Sequence, residues 1–555
     1  MSEDKKGFVF NRRQFLMSGA ALAGATMMPS LLRRGYAWAA AAAKDTMVIA
    51  APATPQSLDC EFDVSLGTFE AIGALYDNLL EFEPIPDPKV PTAKREDIAF
   101  HDDKVGRVNV RGKLAERFEL DPDSRWCRFF LRQGVKSNWG NELTAEDVKW
   151  TWDRKLALGA LGAFYTANLG VSRPEQNKVE DKYVFSFQLD APNPLLLKLQ
   201  CNLFNPIYDS KKCKEVGGQD DPWATKFIEN DSAGFGPYRL KRLVRGQQAE
   251  FEARDDYYYE PDKPYMKTVI FKEVPQSAAR VSLLQGGAVD IAQYLQPLEI
   301  ITLSKVPGVT VETVAASFMI WIELNAKIKP FDNVDVRRAM NYALPQEQII
   351  KTVFQGLASP LNGCMPNIYP GFTDQVTTYP FNLDKAKEHL KAGGYPDGFK
   401  TVLSYNAGDP VQEPIAIMYQ TELRKIGVEL QLRKVPAATF YNNVTERKQP
   451  MIFYVDSPWC PDPGYSMRLY FHSKSYVNYS NYSNPKVDEL IDACAKTADM
   501  AARNEMMAEA QKIVMDEAPW TFIVFPNYTM ARRSDLLGWT YYTSNNIRFQ
   551  DFYRE

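Results

Sequence analysis

The chain reads as an α/β protein of several domains. Segments with period-two apolar spacing, which suits strands, alternate along its length with segments of helical spacing. The helical segments stop repeatedly at glycine, as at Gly286-Gly287, Gly393-Gly394 and Gly427. A residue tolerant of positive φ suits a helix end. No internal repeat is visible, and 555 residues leave room for two to four domains of roughly 150 residues.

The elements follow in order. Thr46 to Pro52 predicts a first strand, running into a loop from Thr54 to Cys60, and an amphipathic helix covers 68–80. Pro and charge make 83–112 irregular surface. Partial alternation predicts a strand over 125–135. Thr144-Ala-Glu-Asp147 opens a helix, since Thr is a natural N-cap and acids suit the positive helix end. Strands are expected over 183–189 and, as a pair, over 238–258; a helix through 281–284 ends at Gly286. Alternation over 311–324 leads into Asn325. Helices then cover 334–342, 346–354, 384–390 and 414–426, with strands over 401–405 and 428–435. The tail holds a helical run over 487–515 and a buried strand over 521–525.

Composition narrows the function. The chain is 45% hydrophobic with 65 basic against 69 acidic residues, a balance that argues against a nucleic-acid face. Aromatics reach 12%, which suits enclosure of an organic ligand as well as an ordinary core. The seven cysteines are scattered without a CxxC, so a structural zinc or iron–sulfur site is not expected. Their odd number leaves at least one thiol free, and Cys201 with Cys213 are near enough in sequence either to pair or to stay apart. Three histidines (His101, His389, His472) lack ligand spacing, and direct metal capture is not expected. Gly234-Phe-Gly236 lacks the third glycine of a dinucleotide loop, and no Walker sequence or nucleophile elbow occurs. No enzyme activity and no cofactor are therefore expected.

Two resemblances sharpen the reading. Asn11-Arg12-Arg13-Gln14-Phe15-Leu16-Met17, an apolar run to Leu32 and Ala37-Trp38-Ala39 resemble a twin-arginine export signal with its cleavage site. Arg33 and Arg34 cut the apolar run short of the ~20 residues a spanning helix needs. Residues 1–43 are read as a signal peptide, and the remainder as periplasmic. Further on, Leu114-Ala-Glu-Arg-Phe118, Phe130 to Val148, Gly234-Phe-Gly-Pro-Tyr238 and Ala279 to Ile291 occur in order. Pro330 to Ala339, Asp384-Lys-Ala-Lys387, Ala392 to Gly398 and Asn478 to Leu490 follow. Together these resemble the bacterial extracellular solute-binding proteins of family 5, the binding components of peptide, nickel and opine ABC importers.

The resemblance implies a two-lobed periplasmic binding protein of type II, in the large family 5 form with an extra subdomain in lobe I. Lobe I is expected from 44–313 plus 527–555, with the extra subdomain at 81–199, and lobe II from 314–526. It further implies hinge closure on a ligand, ABC permease subunits as partners and a monomer. Gly134, Gly236, Asp147 and Arg337 are read as scaffold.

The loop Val455 to Phe471 is the most discriminating place. In peptide-binding relatives an Asp here pairs with the ligand's α-ammonium, a strong charge-assisted bond. Two registers compete. Gapless matching sets Asp462-Pro463 on a later Asp-Pro and leaves Trp459 at the amine position; matching Trp459-Cys460-Pro461-Asp462 directly makes Asp462 the ammonium partner. Trp459 would favour a ring, a sugar face or a cation without N–H donors. Asp456 and Cys460 flank it. Tyr405 and Asn406 in lobe II, Ser57 and Leu58 in the first loop, and Phe318 and Trp321 beside the hinge complete the candidate ligand-binding set. The expected cargo is a peptide or a peptide-like or opine-like solute. An oligosaccharide, a metal chelate, or a sensor role in place of import are the alternatives.

Overall fold

The computed structural model describes residues 44–99, 109–259 and 265–555; the twin-arginine-like leader and His101 lie outside them. Thr46–Ala51 (β1) buries all but its first residue, as an apolar run covered on both faces should. It is followed by helix Thr68–Leu75 (α1). A separate four-stranded antiparallel unit comes next, from Ala115–Leu120 (β2), Trp126–Leu131 (β3), Asn177–Asp181 (β4) and Val184–Gln188 (β5), in the order β2-β3-β5-β4. Helices Ala145–Leu158 (α2) and Ala160–Leu169 (α3) are inserted between β3 and β4, and a single turn, Leu196–Leu199 (α4), follows β5. Thr144 and Asp147 cap α2 reciprocally, with the Thr144 amide donating to the Asp147 carboxylate at 2.7 Å.

Tyr238–Val244 (β6), Gln248–Ala253 (β7), Thr268–Glu273 (β8), Ile291–Ala292 (β9) and Val309–Val314 (β10) return to the sheet that β1 opens. Gly236, just before β6, passes so close to the end of α1 that a Cβ there would lie 2.5 Å from the Tyr76 nitrogen, so only glycine fits. The chain then builds a second sheet from Met319–Leu324 (β11), Ala358–Pro360 (β12), Lys400–Asn406 (β13), Glu429–Val435 (β14) and Met451–Asp456 (β15). Helices Pro463–Phe471 (α5), Pro485–Lys496 (α6) and Met500–Glu517 (α7) precede its last strand, Trp520–Pro526 (β16). Tyr528–Arg533 (β17) crosses back to the first sheet.

The first sheet runs β6-β7-β8-β1-β9-β17-β10 and the second β12-β16-β11-β15-β13-β14. Both mix parallel and antiparallel pairs: β1 lies parallel to β8 and β9, and β13 parallel to β14 and β15. β11 is buried at all six positions because β15 and β16 flank it. Arg337 ties its helix to the chain by donating to the carbonyls of Glu517 and Phe331.

Two expectations are corrected in detail. The alternation over 311–324 is not one strand; β10 and β11 belong to different sheets. The run over 487–515 is two helices, because Asp499 caps α7 afresh by accepting from the Ala502 amide. All seven thiols are free and buried, so Cys201 and Cys213 do not pair. Among the described residues no helix is long and apolar enough to cross a membrane.

Candidate functional site

The loop between β1 and α1 is held from beneath by two buried ion pairs. Asp59 pairs with Arg154, and Glu61 with Lys155, both cations projecting from α2 and all four side chains almost fully buried. Asp63 accepts from the Ser57 amide at 3.0 Å and the Thr68 hydroxyl at 2.7 Å, fixing the loop's upper turn. Leu58 and Cys60 point into the core, while Ser57 stays half-buried and accepts from the Asp59 amide.

The segment after β15 meets the crossover between β10 and β11 and the C-terminal segment. The Ser457 hydroxyl lies 2.6 Å from that of Ser317, and Asn545 donates to both. The Trp459 indole sits among Phe204, Tyr165 and Phe164, with ring centroids 4.8, 6.4 and 6.5 Å away. Its carbonyl accepts from Asn202 at 2.6 Å.

Asp462 is fully buried and caps α5, accepting from the Tyr465 amide at 3.1 Å. Lys198 of α4 reaches its carboxylate at 2.5 Å and Arg503 of α7 at 2.6 Å. Burial alone would raise the Asp462 pKa, but the Arg503 and Lys198 charges overcome it and hold the carboxyl well below the usual range. Cys460 beside it is buried, and burial pushes its thiol up. An open cavity of about 710 Å³ lies between α3 and α5, walled by Phe164, Leu161, Tyr465 and Tyr476, with Arg468 and Lys474 at its polar side.

This geometry, two mixed sheets meeting at an aromatic and ionic seam, has a match. Residues 109–478 fit the family described as bacterial extracellular solute-binding proteins, family 5 Middle. The chain belongs to that family. It is 27% identical to the probable D,D-dipeptide-binding periplasmic protein DdpA of Escherichia coli (strain K12), over 90% of this chain and 92% of that protein. It is 28% identical to the oligopeptide-binding protein AppA of Bacillus subtilis (strain 168), over 80% of this chain and 83% of that one. Among solved structures it resembles the periplasmic binding protein DppA from Helicobacter pylori in complex with the peptide STSA. There the TM-score is 0.77 at 23% identity, covering 92% of this chain and 98% of that one. It also resembles AgaA from A. tumefacien R10 in complex with agropinic acid, with a TM-score of 0.75 at 21% identity and coverage of 92% and 99%. The fold is thus the two-lobed α/β fold of family 5 periplasmic binding proteins.

Within this family 5 chain the candidate residues separate into groups. Asp456, Trp459, Cys460 and Asp462 share one segment, and within it Trp459 and Asp462 meet residues that sequence alone did not single out: Lys198, Asn202, Phe164, Tyr165 and Phe204. Ser57, Leu58 and Cys60 share the anchored first loop. Tyr405 and Asn406 lie at the end of β13, where Tyr405 donates to Glu413 and Asn406 braces its own turn. Trp321 is fully buried, stacked on Trp520 at 4.1 Å and donating to Glu323, so it packs inside the second sheet's core. Phe318, half-buried between β10 and β11, lines a small cavity. Arg468 is paired with Asp492. Among the described residues no group of His, Cys, Asp and Glu side chains could hold a metal.

Asp456 differs from Asp462 in having no cation paired with it among the described residues. Burial pushes its carboxyl up to about 6, against the Ser457 amide and the nearby Tyr470 hydroxyl. The folded chain therefore keeps a proton that the unfolded chain has lost between about pH 4 and pH 6. The contribution to stability is greatest below pH 4 and falls as pH rises through 6. Asp456→Asn is expected to remove this slope and to raise stability at pH 7 by up to about 3 kcal/mol. Urea denaturation from pH 4 to 8 checks it; an unchanged slope would sink the idea.

Proposed function

We propose that this chain is the solute-capturing component of an ABC importer, exported to the periplasm by the twin-arginine route and closing two lobes on a peptide-like or opine-like solute. Lobe I comprises 44–313 and 527–555, with the subdomain at 81–199, and lobe II comprises 314–526. The observation that carries this reading is the meeting of Trp459, on the second-sheet half, with Phe204, Tyr165 and Asn202 on the first-sheet half. A ligand held between the lobes stabilises the closed state by its contacts to both.

The cargo class is argued from Asp462. Asp462 is occupied by Lys198 and Arg503, so a peptide ammonium does not find it free. This favours the register in which Trp459 takes the amine position. The names of relatives support the class: D,D-dipeptides for DdpA, oligopeptides for AppA, agropinic acid for AgaA.

Thermal melting of the mature protein tests it, against free peptides, N-blocked peptides, opines and oligosaccharides. Ligand at a hundredfold excess over its dissociation constant adds about 2.7 kcal/mol of stability. The expected result is a shift from a peptide-like or opine-like solute that Trp459→Ala abolishes. A shift from oligosaccharides alone, or one indifferent to Trp459→Ala, would contradict the reading.

A further inference from the structure

Where β10 gives way to β11, and β16 to β17, a cavity of about 160 Å³ is walled by Gln293, Tyr294, Phe318, Asn527 and Tyr528. Phe318 and Asn527 belong to the two segments that pass between the sheets. Behind the wall lies Glu70 of α1, fully buried. Gln293, 4% exposed, donates to its Oε1 at 2.9 Å. The Glu70 Oε2 and the Gln293 Oε1 are both buried without a hydrogen-bond partner. Tyr294 holds a left-handed backbone, φ 51°, a conformation that costs a non-glycine residue energy and is kept where the surroundings impose it.

Several other deeply buried acids of this half are ion-paired: Asp59 with Arg154, Glu61 with Lys155, Glu312 with Arg532, Asp290 with Arg554; Asp147 and Asp209 are held instead by hydroxyl and amide donors from Ser210, Ser137 and Asn141. Glu70 forms no ion pair among the described residues, and burial raises its pKa with no neighbouring charge to oppose it. A buried carboxylate with one oxygen unpartnered and no counter-charge, beside an amide oxygen without a donor, is costly unless a proton or a cation neutralises it and a donor reaches the amide oxygen. Water supplies the donors but not the charge. A primary ammonium supplies both, and the space of about five waters admits it with a short alkyl stem.

We propose that the hinge cavity is a binding site for a primary ammonium group, with Gln293 Oε1 as its direct acceptor, Glu70 as its counter-charge and Tyr294 and Tyr528 as its aromatic walls. The ammonium is either that of the captured solute or that of a separate small amine. The first source rests on the capture reading above; the site itself does not.

Saturation-transfer NMR with n-propylammonium chloride tests it, using n-propanol and tetramethylammonium chloride as controls. Transfer to propylammonium alone is expected, with affinity falling roughly tenfold or more in Glu70→Gln and remaining in Trp459→Ala. Gln293→Leu, which removes the direct acceptor and keeps Glu70, should weaken it too if Glu70→Gln fails to fold. A solute from the melting panel that displaces propylammonium identifies the solute's own ammonium as the occupant; binding side by side identifies a separate amine. Equal transfer to propanol, or none to any probe, overturns the site. If a panel solute still raises the melting temperature in that case, capture stands without it.

Discussion

Asp462→Ala is expected to destabilise the protein by about 3–5 kcal/mol at pH 7. Its carboxylate is wholly buried, and Lys198 and Arg503 have side chains only 3% and 1% exposed. Removing the acid leaves two cations in a low-dielectric interior and uncaps α5. Asp462→Asn keeps an acceptor for the Tyr465 amide and should lose less. The linked pH dependence has a definite sign. A carboxyl held below its unfolded value stabilises the fold above about pH 4, and that contribution is lost as pH falls towards its folded pKa. Equilibrium urea unfolding of both variants measures this; a loss under about 1 kcal/mol for Asp462→Ala would mean that water reaches the cluster. Lys198 approaches from α4, so the same change also loosens the contact between α4 and the start of α5.

The second large effect is expected at the first loop. Asp59→Ala removes the partner of Arg154, which is 0% exposed on its side chain and donates to both Asp59 oxygens. The guanidinium keeps its bond to the Trp223 carbonyl at 2.9 Å but loses its counter-charge, at a cost of about 3–5 kcal/mol. Ser57 and Leu58 hang on the same anchor, so solute-induced melting shifts should shrink along with stability. Arg154→Met with Asp59→Leu, which replaces the pair by apolar groups, should recover most of the stability without restoring solute response. Recovery of both would make Asp59 a stability element with no part in shaping the loop.

Much of the scaffold was legible because local chemistry agrees with the fold. β1 is a clean apolar run, the Thr144–Asp147 box starts α2, and Gly427 closes its helix by adopting a positive φ of 81°. β15 was missed because Met451–Asp456 carries no alternation: four of its six residues are buried, in a strand covered on both faces. The alternation over 311–324 continued through a change of sheet because spacing does not record which sheet a residue joins. Pro463 at the first position of α5 after the Asp462 cap is a helix start signal embedded in the loop motif.

The site was legible only on one side. Trp459 and Asp462 stand out within a short segment. Lys198 lies 264 positions from Asp462, and Asn202 lies 257 from Trp459, separations at which a single sequence carries no contact signal. The choice between the two registers therefore depended on a partner the spacing could not reveal. Lys198 and Arg503 commit the Asp462 carboxylate within the protein, and the proposed capture reading therefore turns on the aromatic wall at Trp459.

The central claim is capture by closure. Small-angle X-ray scattering of the mature protein measures it, with and without a saturating amount of the solute that raises the melting temperature. The account predicts a smaller radius of gyration with solute, and no change in Trp459→Ala at the same concentration. An unchanged radius of gyration in the saturated wild-type protein would contradict closure, and with it the proposed mode of capture.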